Sequence, residues 1–356
     1  MKKVFELDFR GKKLVVEHGM VAKQADGAVW VRYGDTVVLS TVVVNKNANV
    51  LSDFFPLMVL YNEKLYSVGK IPGGFIKREG RPTENATLAA RMIDRPMRPL
   101  FPEDFKNEVQ VVNTVLSVDP DYSPELTAMF GSSLATSISK IPFGGPIAGV
   151  KVGHVNGEFI INPTPSELEV SDLDLTVAGT KEAINMVEAG AKQVSEDLML
   201  EALMFGHEAI KELVAFQEEI IAEIGVEKMD YETLEIEDSL KEEVRSLAEA
   251  RLNEALRIPG KQEKYEAIDA VKEEIVAKYT MENEEVLKEK DLLTLITKVK
   301  LVLEEIEYEI FRQIVVKEKT RADGRSMTQI RPLSTAIDLL PRTHGSALFT
   351  RGETQA

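Results

Sequence analysis

The sequence predicts an α+β fold that passes into an all-helical stretch and then begins its first fold again. Three observations carry this. Short, β-branched, alternating segments punctuated by glycine fill the first part of the chain, apolar residues at helical spacing occupy Ser239 to Phe311, and a motif near the N-terminus recurs just before Ala356. The 356 residues suffice for two or three domains at roughly 100 to 200 residues each, every one able to bury its own core.

Taken in order, Lys13–Glu17, Ala28–Arg32 and Thr36–Val44 read as strands, with Gly19, Gly27 and Gly34 between them. A helix is expected from Thr83 to Ile93, ended by Pro96, which lacks a backbone donor. Val109–Val118 is a further strand. Ser123 before Pro124 has the form of an N-cap with proline at the first helical position, which opens a helix through Ile138. After the break at Gly144, Gly145, Pro146 and Gly149, a second α+β half is expected: strands at Val150–Val155, Glu158–Asn162 and Asp174–Gly179. A long helix capped by Ser195 follows, with Leu198, Ala202, Phe205, Ala209, Leu213, Phe216 and Ile220 on one face and Gly225 at its end. Beyond Ser239, Ile268, Val271, Ile275 and Tyr279 form one stripe. Leu292, Ile296, Val299, Leu303, Ile306 and Ile310 form another, and both read as packing faces of a small helical bundle.

Composition narrows the chemistry. With no cysteine, disulfides and thiolate metal sites are excluded, and a reducing cytoplasm is the expected compartment. His18, His154, His207 and His344 form no metal-binding pair by spacing, so any metal must be held by oxygen. Glu6, Asp8 and Arg10 interrupt the segment after Lys2 and Lys3, leaving no signal-peptide core, and no stretch approaches a membrane span. A nucleotide-binding P-loop is absent. The net charge of −16 opposes wholesale nucleic-acid binding, but its distribution is uneven. Lys64, Lys70, Lys77, Arg78, Arg81, Arg91, Arg95 and Arg98 face only Glu79, Glu84 and Asp94, a basic island. From Glu227 to Glu243 the sign reverses, as in a solvated linker or helix face.

The recurring motif is Gly27-Ala-Val-Trp-Val-Arg-Tyr-Gly34-Asp35-Thr36, matched at one constant offset by Gly345-Ser-Ala-Leu-Phe-Thr-Arg-Gly352-Glu353-Thr354. Each copy reads as a strand, a glycine turn and the start of a second strand. Phe9-Arg10-Gly11 precedes the first copy and Asp323-Gly324-Arg325 the second. The chain is therefore expected to be a fragment that stops inside the second copy of a domain, because a strand cut there leaves backbone groups unmatched.

Several stretches together resemble the N-terminal half of the bacterial polynucleotide phosphorylase family, duplicated relatives of ribonuclease PH. They are Gly73-Gly-Phe75-Ile76-Lys77-Arg78-Glu79-Gly80-Arg81-Pro82, Ile93-Asp-Arg95-Pro-Met-Arg98-Pro-Leu-Phe-Pro102, Val177-Ala-Gly179-Thr180 and Arg321-Ala-Asp323-Gly324-Arg325. The resemblance implies a ribonuclease PH-like core of mixed sheets and packed helices, an all-α domain, and the start of a second such core. Its expected bounds are 1–145 and 146–235 for the two halves of the first core, 236–315 for the helical domain and 316–356 for the truncated second core. It further implies a homotrimeric ring around a channel for single-stranded RNA, with possible RNA-degradation complex partners and no membrane. Phosphorolysis would proceed with inorganic phosphate as co-substrate and Mg2+ or Mn2+ assisting, none of them tightly bound to this part. The alternative is a stand-alone, noncatalytic RNA-binding or ring-forming subunit.

Read from its residues alone, the loop Gly73–Pro82 is either a single-strand-binding loop or a solvated basic loop. Glycines permit close backbone approach, Phe75 offers a stacking face, and Lys77, Arg78 and Arg81 can neutralise phosphates. The resemblance favours the first, although the family often carries a second aromatic where Ile76 stands and an arginine, with its planar fork, where Lys77 stands. Arg91, Arg95 and Arg98 serve either RNA or salt bridges. In the family's active copy, a serine-rich turn holds phosphate, and paired aspartates with a lysine supply the metal and charge. Here Ser132 and Ser133 keep part of that turn with Leu134 in the third place, or else belong to the small-residue face of the helix after Pro124, the favoured reading. Asp174 matches one metal-binding aspartate, but Leu168 replaces its partner and Thr176 replaces the lysine. One carboxylate is a poor site for a hard cation. The first core is thus expected to be catalytically degenerate, with the catalytic residues beyond Ala356.

Overall fold

The computed structural model describes residues 2–52, 54–75 and 77–356, and divides the chain into two compact units, Met1–Thr233 and Leu234–Ala356. The first unit holds two sheets. Strands β1 (Lys3–Phe9), β2 (Lys12–His18), β3 (Gly27–Tyr33), β4 (Thr36–Ala48), β5 (Leu57–Glu63) and β6 (Asn107–Ser117) form a six-stranded sheet in the order β1-β2-β3-β4-β6-β5. All neighbours are antiparallel except β5 and β6. The tight turns are set locally: Arg10 and Gly11 sit at φ of 57° and 76° between Phe9 and Lys12, and Gly34 at 60° before Thr36. Strands β7 (Ala148–Val155), β8 (Glu158–Ile161), β9 (Leu173–Gly179) and β10 (Ile184–Ala191) make a second, antiparallel sheet in the order β10-β9-β7-β8.

Helix α1 (Glu84–Met97) packs on β5 and helix α2 (Pro124–Ile138) lies between the sheets, against β3, β4 and β6 on one side and β7 on the other. Every residue of α2 from Leu126 to Ile138 is buried, including the hydroxyl residues Thr127, Ser132, Ser133, Thr136 and Ser137. Alternation supplies its surroundings: Val29 and Val31 from β3, Val38 and Val42 from β4, Val111 and Val115 from β6 all face inward. Close approach fixes two glycines. A Cβ on Gly131 would lie 2.3 Å from the Ser40 hydroxyl, and one on Gly27 would lie 2.0 Å from the Ala135 carbonyl oxygen. Short helix α3 (Pro165–Val170) follows β8, and α4 (Glu196–Ile224), capped by the Ser195 hydroxyl, covers β7 and β9. Gly225 ends α4 in extended backbone, and the chain returns along the end of α2, where the Lys228 ammonium donates to the Ser137 and Ser139 carbonyls at 2.8 and 2.7 Å.

The second unit opens with α5 (Asp238–Ala255), α6 (Lys261–Asn283) and α7 (Glu289–Glu318). The two expected stripes meet in its core, with Val271, Ile275, Val299, Leu303 and Ile306 buried among Val244, Ala248 and Leu252. Exposed ion pairs cross between the helices, Arg245–Glu309, Arg251–Glu274 and Arg257–Glu318. Strands β11 (Leu333–Ile337), β12 (Ala347–Arg351) and β13 (Thr354–Gln355) then form a small antiparallel sheet. The repeated motif folds alike in both places. Tyr33 pairs with Thr36 around Gly34, and Arg351 pairs with Thr354 around Gly352, which has φ of 64°.

Several elements differ from expectation. Strands β1, β5 and β10 and helix α3 were not anticipated, and α7 runs past Phe311 to Glu318. Pro96 does not end α1 but lies inside its last turn. The bond it forgoes is a single one, the Arg98 N–H resumes the pattern onto the Asp94 carbonyl, and burial of Ile93, Pro96 and Met97 holds the turn in place.

Candidate nucleic-acid interface

The basic island separates into paired and unpaired cations. Lys64 is held by Glu79 at 2.9 Å, and the other Glu79 oxygen accepts the Leu65 N–H at 3.0 Å. Those bonds hold the Glu79 carboxyl below its usual range and staple the returning leg of the loop to the end of β5. Between them the loop projects: Phe75 is fully exposed, Lys77 and Arg78 are exposed, and Gly74 and Lys77 adopt φ of 73° and 51°. A Cβ on Gly73, Gly74 or Gly80 would touch nothing, so internal packing does not call for these glycines. Among the described residues, Lys70, Lys77, Arg78, Arg81 and Arg91 have no ion-pair partner. Ile76, the position where the family often has an aromatic, lies outside the described residues. The arrangement offers an aromatic face among unneutralised cations, the form suited to stacked bases on a polyanionic strand.

The three arginines of α1 and its end do different things. Arg91 is exposed and unpaired among the described residues, whereas Arg95 reaches Glu188 of β10 at 3.3 Å. Arg98 grips both oxygens of Asp94, at 2.9 and 2.7 Å, donates to the Phe55 and Leu57 carbonyls at 3.0 and 3.1 Å, and lies over the Phe55 ring. That is a clasp between α1 and the entry to β5. Arg98→Ala is expected to destabilise the first unit by about 1 to 2 kcal/mol, the worth of charged hydrogen bonds reduced by partial exposure, and to leave the salt dependence of RNA binding unaltered. Thermal melts and salt titrations of the variant check this.

Ser132 and Ser133 stand in the middle of α2 rather than in a turn, and both are fully buried. The Ser132 hydroxyl donates to Asn113 Oδ1 at 2.9 Å, which also accepts from Ser40 at 2.6 Å, and the Ser133 hydroxyl accepts the Ile147 N–H at 2.8 Å. Their hydrogen bonds tie α2 to β6 and to the start of β7. Leu134 beside them is fully buried.

Asp174, Thr176 and Leu168, singled out by the family resemblance, do come together. They line one cleft of about 500 Å3, with Lys151, Glu188, Ser123 and Glu125 around them. The Thr164–Glu167 capping box fixes α3 and so places Leu168 there. Asp174 is half-exposed and its carboxylate meets the Lys151 ammonium at 3.2 Å. A divalent cation seeks several oxygen ligands, but here the one matching carboxylate is countered by a lysine and its partner position is leucine. Among the described residues no group of three acidic or histidine side chains has metal-binding geometry. Lys151 escaped the sequence reading because its place beside Asp174 comes from the pairing of β7 with β9.

Comparison with known proteins gives the class: the chain belongs to the 3′ exoribonuclease family. Residues 10–142 match the family's domain 1 and residues 145–209 its domain 2. Residues 239–326 match a third family model, described as the polyribonucleotide nucleotidyltransferase RNA binding domain. The chain is similar to the polyribonucleotide nucleotidyltransferase of Bacillus licheniformis, 58% identical over 358 residues that cover 100% of this chain and 49% of that protein. That of Acholeplasma laidlawii is 55% identical over 362 residues, covering 100% and 50%. The chain thus spans about half the length of the curated relatives it matches. A crystal structure of rice Rrp46 aligns with TM-score 0.47 at 14% identity, covering 62% of this chain and 94% of that one.

Proposed function

We propose that this chain is the RNA-guiding part of a phosphate-dependent 3′-to-5′ exoribonuclease that shortens single-stranded RNA to nucleoside diphosphates. The observation that carries the reading is a contrast within the first unit. Phe75, Lys77, Arg78 and Arg81 present an exposed surface without ion-pair partners among the described residues, suited to a single strand, while the cleft at Asp174 has leucine and threonine where the family's active copy carries a second aspartate and a lysine. Bond breaking then belongs to the second core, with inorganic phosphate as attacking group and magnesium or manganese assisting. Assembly as a homotrimeric ring in the cytoplasm, with a part in mRNA degradation, completes the proposal, and the first core and helical domain supply the ring's guiding wall.

The test is direct. The chain is incubated with poly(A), magnesium and phosphate, and ADP is measured alongside binding of a labelled oligo(A). Binding without ADP is the expected result. Robust ADP release would overturn the assignment of a degenerate cleft, and absence of binding would overturn the guiding role.

A further inference from the structure

Beneath the returning leg of the basic loop lies a second cleft, of about 460 Å3, separate from the one at Asp174. Its walls are sorted by chemistry. Alternation along β5 puts Tyr61 and Glu63 on one face, where Leu65, Ala86 and Val118 add apolar surface, and Arg81 stands on the loop segment that borders it. Tyr61 is 2% exposed, and its hydroxyl has no hydrogen-bond partner among the described residues. Buried hydroxyls are normally satisfied, because an unpaired one costs about 1 to 3 kcal/mol. Partial burial, together with the nearby Glu125 charge, raises the Glu63 carboxyl above its usual range, against a smaller opposing effect of Thr83.

Glu63, with the Glu125 charge nearby, repels an anion from that side, yet the mouth carries the Arg81 guanidinium, which has no ion-pair partner among the described residues. The polarity suits a ligand with a flat apolar part, neutral hydroxyls and a negative group at one end. A nucleotide has that order, and the volume falls within the range of small-ligand pockets, roughly 300 to 1,000 Å3. We propose that the cleft takes up one nucleotide of the RNA strand held by the loop, with its base against Leu65 and Val68, its ribose 2′-hydroxyl donating to the Glu63 carboxylate and its phosphate on Arg81. Glu63 is then a specificity residue that separates ribose from deoxyribose before the strand reaches any catalytic centre. The inference rests on the loop's role as an RNA-binding surface.

Fluorescence anisotropy with oligo(rA) and oligo(dA) of equal length, on the full chain and on Glu63→Ala, Glu63→Gln and Arg81→Ala variants, tests it. The ribo-over-deoxy affinity ratio is the readout, since removal of a negative charge alone strengthens both strands alike. Glu63→Ala is expected to cut that ratio about tenfold, equivalent to ~1.4 kcal/mol, and Glu63→Gln to cut it less, because the amide oxygen still accepts. Arg81→Ala should weaken both strands. An unchanged ratio in Glu63→Ala, with Arg81→Ala still weakening binding, overturns the nucleoside cleft and leaves the loop's role intact. Failure of Arg81→Ala to weaken either strand, or of the chain to bind either, removes the loop's role and this inference with it. Unaltered melting temperatures confirm that the variants fold.

Discussion

Replacing Arg78 and Arg81 together by alanine is expected to weaken single-stranded RNA binding by roughly ten- to a hundredfold at moderate salt and to flatten its salt dependence. The physical basis is counterion release. Each phosphate neutralised on a single strand contributes about 0.7 to the slope of log affinity against log salt, so loss of two contacts should lower the slope by roughly 1.4. The loop favours such contacts because neither guanidinium has an ion-pair partner among the described residues, and the Lys64–Glu79 pair holds the loop's base without drawing on them. Phe75→Ala should behave differently, losing about 1 to 3 kcal/mol of stacking at any salt concentration. A salt slope unchanged by the double substitution would sink the phosphate assignment, whatever happened to affinity.

Gly27→Ala is expected to destabilise the first unit markedly. The new carbon would sit 2.0 Å from the Ala135 carbonyl oxygen and 3.1 Å from the Ser139 Cβ, and the obstructing atom is backbone, which cannot rotate away. Either β3 or α2 must move, and α2 is packed on both sides. Overpacking of this kind costs typically 1 to 3 kcal/mol, and a backbone obstruction belongs at the upper end. At roughly 2 to 4 °C per kcal/mol for a unit of this size, the melting temperature should fall by several degrees, measurable by calorimetry. Gly345→Ala provides the contrast: its Cβ would meet nothing, and no comparable loss is expected in this chain. Equal losses at the two positions would contradict the packing account.

What the sequence made legible follows from where the information lies. The N-caps Ser123 and Ser195, the stripes of α6 and α7 and the glycine turn at Gly34 are local signals, and each stands where expected. Strand β10 was invisible for a physical reason. It is largely exposed and ends in alanine and glycine, so it shows little alternation and only weak β propensity and is held by pairing with β9. Strand β5, which opens with the apolar run Leu57–Tyr61, is ambiguous between helix and strand until its parallel pairing with β6 is known. The site shows the same division. The family resemblance located Asp174, Leu168 and Thr176, but the lysine opposite Asp174, the carbonyls gripped by Arg98 and the cleft under Arg81 all depend on contacts distant in sequence.

Helix α2 also governs how the first unit comes apart. Its amides are sealed between two sheets, and the Ser132 and Ser133 hydroxyls fasten it to both halves that family comparison treats as separate domains. Local fraying cannot expose such a helix, so its slowest hydrogens should exchange with solvent only when the whole of Met1–Thr233 opens. The two halves are then one cooperative unit, and cutting the chain near Gly144 should leave two pieces that stay associated under native conditions and lose their protection together when denatured.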